Sequence, residues 1–500
     1  MTDARTPRVR SRIRPIASTA YDTAWVASAP HPADPSKPRF PSALNWITAH
    51  QLPDGSWGST IVHQHDRILS TLAALTALAK FGRREFDRLQ VRHGERYLWQ
   101  NAHLLRNVDN ELVAFELLLP ALMKLAEDVG ILVPPDLDAY CNESAGKVEL
   151  VPPEKIYSRN ATIAHSIEFL GESGNLLNLL SMQSDNGSIG NSPAATAYLL
   201  HQVEDMAAVA YLERCLAGSP GGGVPPIEPC ETFEALWVAY NLFLGGAAPG
   251  SLLTSQTQDT LIAGLGADGI SLSPSFGVPD ADSTAIALLL LHEAGYSVDA
   301  DALRPFERDN FFVSFPNERH ESTGVNIHVL TALMRFPSYQ NHGRAVAKIL
   351  RYLQGARHHG RYWFDKRHIS PYYATSHAII ALAGLPAPYT QYATALIDAS
   401  EEWIIRTQNT DGSWGFYGVP TTEETAYAIL GLSAVPATTQ VVTAIDSGRA
   451  YLEANQGTAR PALWMDKCLY YPPRIVDSAL HAALGRAASD GFTDTMPSFP

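Results

Sequence analysis

The chain has 500 residues, 46% of them hydrophobic and 18% charged, a balance that supports large buried cores and excludes collagen-like, coiled-coil and disordered architectures. Its 37 Lys+Arg against 51 Asp+Glu leave a formal net charge of −14. The one basic stretch is the short arm Arg5, Arg8, Arg10, Arg12, Arg14, so nucleic acid is not an expected partner. The longest apolar run lies within residues 285–291, far short of the ~20 residues that a spanning helix needs. No apolar signal core follows the basic arm, and the expectation is an unprocessed cytosolic protein without a transmembrane segment. Cys141, Cys215, Cys230 and Cys468 are far apart with no CxxC pair, which argues against a disulfide framework or a zinc site.

In chain order, apolar residues recur at three- and four-residue spacing over 68–79, 112–125, 285–294, 377–385 and 425–432, each predicting a helix. Alternating strand patterns are scarce, and the fold class expected is all-α. The stretch PGGGVPP at 220–226 predicts a linker or long loop. An internal repeat runs through this pattern: QLPDGSWG at 51–58 returns as QNTDGSWG at 408–415, with weaker copies in QSDNGSIG from Gln183, LGADGISL from Leu265 and residues 354–363. Asp-Gly or Asn-Gly makes a turn with positive φ at the glycine. The Gln amide is then expected to cap a neighbouring helix end while the Trp packs on the turn and staples two helices. Such staples speak for stacked helical hairpins and not for chemistry, and a non-catalytic helical scaffold uses them equally well.

Several further motifs occur in order: AYDTAWV (20–26), FEALW (233–237), PDADSTA (279–285), VNIHVL (325–330), WFDKRHISPYY (363–373), EETAYAILGL (423–432) and LWMDKCLYYP (463–472). Together with the repeats, which resemble QW motifs, they make the chain similar to class II diterpene cyclases of the terpene cyclase/squalene cyclase superfamily. The resemblance covers nearly the whole chain. It implies two α/α barrels, β (1–37 plus 231–500) and an inserted γ (38–230), with the active site between them.

The resemblance also implies roles. Asp280, Asp282 and Ser283 stand where the family has DxDD, with Ser283 in place of the last Asp. Asp282 is the expected general acid for a terminal alkene, a base so weak that the donor must be a neutral carboxyl in a dry pocket. Asp280 is the expected partner in holding the proton, and Asn326 the expected hydrogen-bond donor to Asp282; His328, two positions on, is a candidate participant. A helix N-terminus at 283–285 opposes this chemistry because it favours ionised carboxylates. Read from spacing alone, Asp280 and Ser283 are ordinary helix caps. Trp237 and Trp464 are expected to line the cavity and stabilise carbocations through their faces; Tyr372, Tyr373 and Trp363 are weaker candidates, since an aromatic on a helix is usually core.

A retained diphosphate calls for cation or metal. Glu111 and Glu116 resemble a D/ExxxxE magnesium motif, and carboxylate with diphosphate oxygens suits Mg²⁺; alternatively Glu111 decorates a helix start and Glu116 pairs with a basic residue. Lys467 is a candidate for the diphosphate. No adjacent Asp pair occurs, so the DDxxD cluster that ionises diphosphates is missing. The resemblance therefore implies protonation-initiated cyclisation of a prenyl diphosphate, geranylgeranyl diphosphate to a labdane-, halimane- or clerodane-type product, with farnesyl to drimenyl diphosphate as the alternative. A scaffold and a protein prenyltransferase subunit are the competing classes; oligomeric state stays open.

Overall fold

A computed structural model describes residues 15–107, 112–141, 146, 153–387 and 389–485. Most of the described chain is helical, and three two-stranded antiparallel ribbons complete it. In the first half, α1 (Ala20–Ser28), α3 (Gln64–Phe81), α5 (Phe115–Asp128), a 3₁₀ segment (Thr162–Ser173) and α6 (Pro193–Gln202) pack side by side into a closed ring. Among the outer helices are α2 (Pro41–Ala49), α4 (Glu85–Asn101) and α7 (Met206–Gly218). A second ring follows from α8 (Glu231–Leu244), α9 (Ala281–Glu293), α10 (Thr323–Leu333), α12 (Pro371–Ala383), α14 (Thr422–Ser433) and α16 (Pro473–Ala483), the last returning to α8. Outside it lie α11 (His342–Gly355), α13 (Thr390–Arg406) and α15 (Thr439–Ala454). The ring helices are apolar around most of their circumference because they touch protein on both sides, whereas α11 is amphipathic with one face to solvent.

Two apolar cores result, one drawn from residues 20–224 together with Ile369, Leu463, Met465, Cys468 and Leu469, the other from the rest of 230–483 with Ile16. The packing of α1 corrects the expected division of the chain: its residues lie in the first core against α2, α3 and α6, and not in the later barrel. The ribbon pairing Trp464–Met465 with Leu469–Tyr470 forms the seam. Strand alternation sends Leu463, Met465 and Leu469 into the first core and Trp464 and Tyr470 into the second. Of the cysteines, Cys141 is exposed and the other three are buried, all as free thiols. No described helix is long and apolar enough to cross a membrane.

The repeated turns explain how each ring helix is attached. Gly55, Gly187, Gly269 and Gly412 have φ of +92°, +89°, +97° and +86°. At Gly412 a Cβ would stand 2.3 Å from the Ser447 carbonyl oxygen, so only glycine lets the turn approach α15. Trp57, Trp363 and Trp414 donate their indole N–H groups to Ile47, Leu353 and Ile404 carbonyls, in the last turns of α2, α11 and α13. The Trp therefore caps the helix end. The Gln instead closes its own turn, Gln51 on Gly55 and Gln408 on Gly412, and reaches a carbonyl within the neighbouring outer helix. A threonine supplies the other half of the staple. Thr71, Thr196, Thr284, Thr375 and Thr425, each on a ring helix, accept the backbone N–H of Trp57, Ile189, Ile270, Trp363 and Trp414 at 3.0–3.1 Å.

Candidate active site

The head of α9 opens onto a cavity of about 980 Å³ when its solvent-open mouth is counted. Val113, Thr162 and His165 of the first barrel line it together with residues of the second. The wall is largely aromatic: Phe233, Trp237, Phe276, Phe315, Tyr373, Trp464 and Tyr470. Phe233 lies 4.5 Å from Trp237 and 5.8 Å from Trp464, and Tyr373 5.3 Å from Trp464, between ring centroids. The polar edges of the two Trp residues are held by neighbours, Trp237 Nε1–H on Tyr373 Oη in the wall and Trp464 Nε1–H on Glu423 Oε1 outside the lining.

Asp280, Asp282 and Ser283 all line this cavity. Asp280 is the N-cap of α9, its Oδ1 accepting the Ser283 N–H at 2.7 Å, and Thr284 Oγ1 closes the turn on the Asp280 carbonyl. The capping reading and the site reading therefore both hold. Burial, which raises the Asp280 pKa, outweighs the Ser283 N–H that lowers it; with Asp282 nearby the carboxyl is pushed up to about 7. Asp282 sits in the first turn with its Oδ1 2.8 Å from His328 Nδ1 on α10. His328 Nε2 is buried without a hydrogen-bond partner, so the ring's polar contact is the one that Nδ1 makes with Asp282, and aromatic neighbours surround the rest of it. Those neighbours are Trp237, Tyr240 and His377, meeting the ring edge-on at 5.5–5.9 Å. Burial above all, with His328 alongside, lowers the His377 pKa to about 3, so it adds no charge there.

Residues 318–470 match the squalene-hopene cyclase C-terminal domain family. The type B diterpene cyclase of Mycobacterium tuberculosis is 32% identical over 501 residues, covering 94% of this chain and 95% of that protein. An ent-copalyl diphosphate synthase of a Streptomyces species is 33% identical over 88% of this chain and 87% of its own. This chain is a class II diterpene cyclase. The structure of ent-copalyl diphosphate synthase from Streptomyces platensis superposes on the cyclase with a TM-score of 0.77 at 29% identity, covering 94% of this chain and 95% of that one.

Three expected assignments change in the cyclase. Asn326 does not reach Asp282: both its amide N–H groups go to backbone carbonyls, of Phe312 and Ser322, and its Oδ1 accepts the Phe312 N–H. His328 takes the place beside Asp282. Lys467 is wholly buried at the ribbon tip, where Nζ meets Glu168 at 2.9 Å, Asp22 at 3.3 Å, Ser192 Oγ and the His165 carbonyl. It locks the ribbon into the first barrel and lies outside the cavity. Tyr372 points away from the cavity and stacks on Trp403 at 4.7 Å, while its neighbour Tyr373 lines the wall.

Glu116 is half-buried in the first turn of α5, three residues after the cavity-lining Val113, and is not itself in the lining. Glu111 lies outside the described residues. Among the described residues, no group of three or more His, Cys, Asp and Glu is arranged to hold a metal. Magnesium bound through one or two carboxylates plus substrate phosphates needs no such cage, so the chemistry of Glu116 is compatible with it.

The sequence reading passed over four charged groups in the lining. Ser322 is the N-cap of α10, the helix that carries His328, and Asp365 adds to it by accepting the Gly324 N–H at 2.9 Å. His165 places Nδ1 2.8 Å from the Gly190 carbonyl and Nε2 2.9 Å from Asp466. Both partners accept, so both ring nitrogens carry protons. Burial opposes that charge, but Asp466 outweighs it and raises the His165 pKa. Arg367 is the fourth. Asp365, Arg367 and Asp466 lie inside motifs that the sequence displayed; nothing local marked His165.

Proposed function

We propose that this cyclase converts geranylgeranyl diphosphate to a bicyclic diterpenyl diphosphate of labdane, halimane or clerodane type, started by a proton from Asp282 and ending with the diphosphate still attached. The observation that carries the reading is the carboxyl pair at the head of α9 facing an aromatic cavity between the barrels. Asp280 keeps a proton near neutral pH because it is buried, so the pair enters the reaction charged with an acid proton. Asp282 delivers it to the terminal alkene. The new C–H bond takes the π electrons, the remaining alkenes close onto the cation in turn, and loss of a proton from carbon ends the sequence. The reaction is an isomerisation overall, with no bond to diphosphate broken.

His328 holds the Asp282 carboxyl in one orientation and stabilises the carboxylate left after transfer. Trp237, Phe233, Tyr373 and Trp464 offer ring faces to the cation and contain no strong nucleophile to trap it. Magnesium accompanies the diphosphate, neutralising its charge, with Glu116 as the carboxylate offered by the described chain. Purified enzyme with Mg²⁺ is expected to give a cyclic diterpenol from geranylgeranyl diphosphate after phosphatase treatment. A cyclic sesquiterpenol from farnesyl diphosphate alone moves the substrate to fifteen carbons, and no cyclic product from either refutes the reading. Glu116→Gln is expected to raise the magnesium concentration needed; an unchanged magnesium response removes Glu116 from the metal.

A further inference from the structure

We infer that Arg367 is the cation that receives the diphosphate head group of the substrate. The inference rests on the reading of that substrate as a prenyl diphosphate. The cavity lining holds four carboxyls, Asp280, Asp282, Asp365 and Asp466, so a polyanion entering it needs a cation to receive it. The cationic side chains in the described lining are His165 and Arg367. His165 has both nitrogens committed, to Gly190 and Asp466. Arg367 is different: no hydrogen bond or ion pair engages its half-buried guanidinium among the described residues, and its contact is with the Phe315 ring at 5.6 Å.

The group is nevertheless well placed. Its backbone N–H is accepted by Asp365 Oδ2 at 3.2 Å, and its carbonyl accepts the Met465 N–H at 2.8 Å. The stem therefore leaves a fixed strand edge at the barrel seam. A planar fork of five donors held in this way matches two phosphate oxygens at once.

The carbocation chemistry sharpens the case. A bare guanidinium in a cavity that must pass positive charge along an apolar chain opposes every intermediate. Paired with the substrate's own diphosphate, the same guanidinium no longer opposes them and fixes the polar end of the chain, which leaves the apolar end to reach Asp282. A purely structural role, packing on Phe315 or serving as a distant counter-charge to the carboxylates, uses none of the five donors.

The test pairs Arg367→Gln, which keeps length and polarity, with Arg367→Lys, each first compared with the parent by thermal melting. The KM for geranylgeranyl diphosphate is expected to rise about 10- to 100-fold in Arg367→Gln, the worth of a charge-assisted bidentate contact, with kcat at saturation falling far less and Arg367→Lys recovering part of the loss. Calorimetric titration with sodium pyrophosphate is expected to show binding to the parent and at least tenfold weaker binding to Arg367→Gln. Unchanged KM and unchanged pyrophosphate binding in a folded Arg367→Gln overturn the assignment. If the parent cyclises no prenyl diphosphate, the proposed function fails by itself. The pyrophosphate titration still decides whether Arg367 forms an anion site.

Discussion

Asp280, Ser192 and Thr421 occupy the same place at the heads of α9, α6 and α14. Each caps its helix by accepting the N–H three residues on, and each carbonyl accepts the hydroxyl of a threonine four residues on, Thr284, Thr196 or Thr425. Two residues past the cap the helices part. The α14 position holds Glu423, whose side chain is 1% exposed and accepts from both His368 and Trp464. The α9 position holds Asp282, 14% exposed, with His328 on one oxygen and the cavity in front. A ring helix head is thus a structural joint by default. On the proposed mechanism it becomes a reactive one where the cap is an acid instead of a hydroxyl and the carboxyl beyond it faces open space.

The largest expected effect separates Asp282 from Glu423. Asp282→Asn removes the acid proton while keeping shape, and turnover is expected to fall by about 10²–10⁴-fold, with a melting temperature close to the parent's. A comparable loss of fold in both Asp282→Asn and Glu423→Gln reduces the two positions to one kind of joint.

The cap gives the next contrast. Asp280 in the folded chain keeps a proton that the unfolded chain releases above about 3.8, and gives it up only near pH 7. The folded state binds more protons across that window, so this group makes stability fall as pH rises from about 4 to 7 and level off above. At ~1.4 kcal/mol per pKa unit, Asp280→Asn is expected to gain up to about 4 kcal/mol at pH 8 and little at pH 4, while turnover drops. Denaturant titrations at the two pH values check this. The parent's turnover is expected to decline above about pH 7 as the pair loses its proton.

His328 and Asn326 show where the sequence stopped being informative. Both stand in VNIHVL, two residues apart, and residues two apart do not share a helix face. Which of them faced Asp282 depended on the rotation of α10, and that follows from its packing against α9, α11 and α12 and from contacts such as Asp365 on the Gly324 N–H, some 40 residues away in sequence. His328→Phe is expected to lower kcat about 10- to 100-fold, the worth of a hydrogen bond to a charged group, with little change in stability. Asn326→Ala is expected to act on stability instead, since it strands the Phe312 backbone.

The same limit misplaced Lys467 and Tyr372. Lys467 sits at a ribbon tip whose direction follows from barrel docking, and Tyr372 and Tyr373 are adjacent on α12 and so point apart. The Asp280–Asp282 spacing, the turn glycines and Trp237 needed no such distant information, and they were readable. The threonine half of each staple was present in the sequence, but 7 to 14 residues from its partner and on the next helix.

The smallest effects return to the shared architecture. Thr284→Val and Thr425→Val each leave one buried backbone N–H without an acceptor, of Ile270 and Trp414, and each is expected to cost about 1–3 kcal/mol. Equal costs in urea titrations support one construction at both heads. A lower turnover is expected only in Thr284→Val, whose hydroxyl also fixes the Asp280 carbonyl.

The most direct test of the central claim is the mass of the product formed in D₂O. Protonation by an exchangeable Asp282 carboxyl predicts a cyclic diterpenol one mass unit heavier than in H₂O, with the single deuterium on the ring methylene next to the gem-dimethyl carbon, and far less of it formed by Asp282→Asn. A cyclic product without deuterium contradicts the account, because the reaction has then begun somewhere other than at a proton from the head of α9.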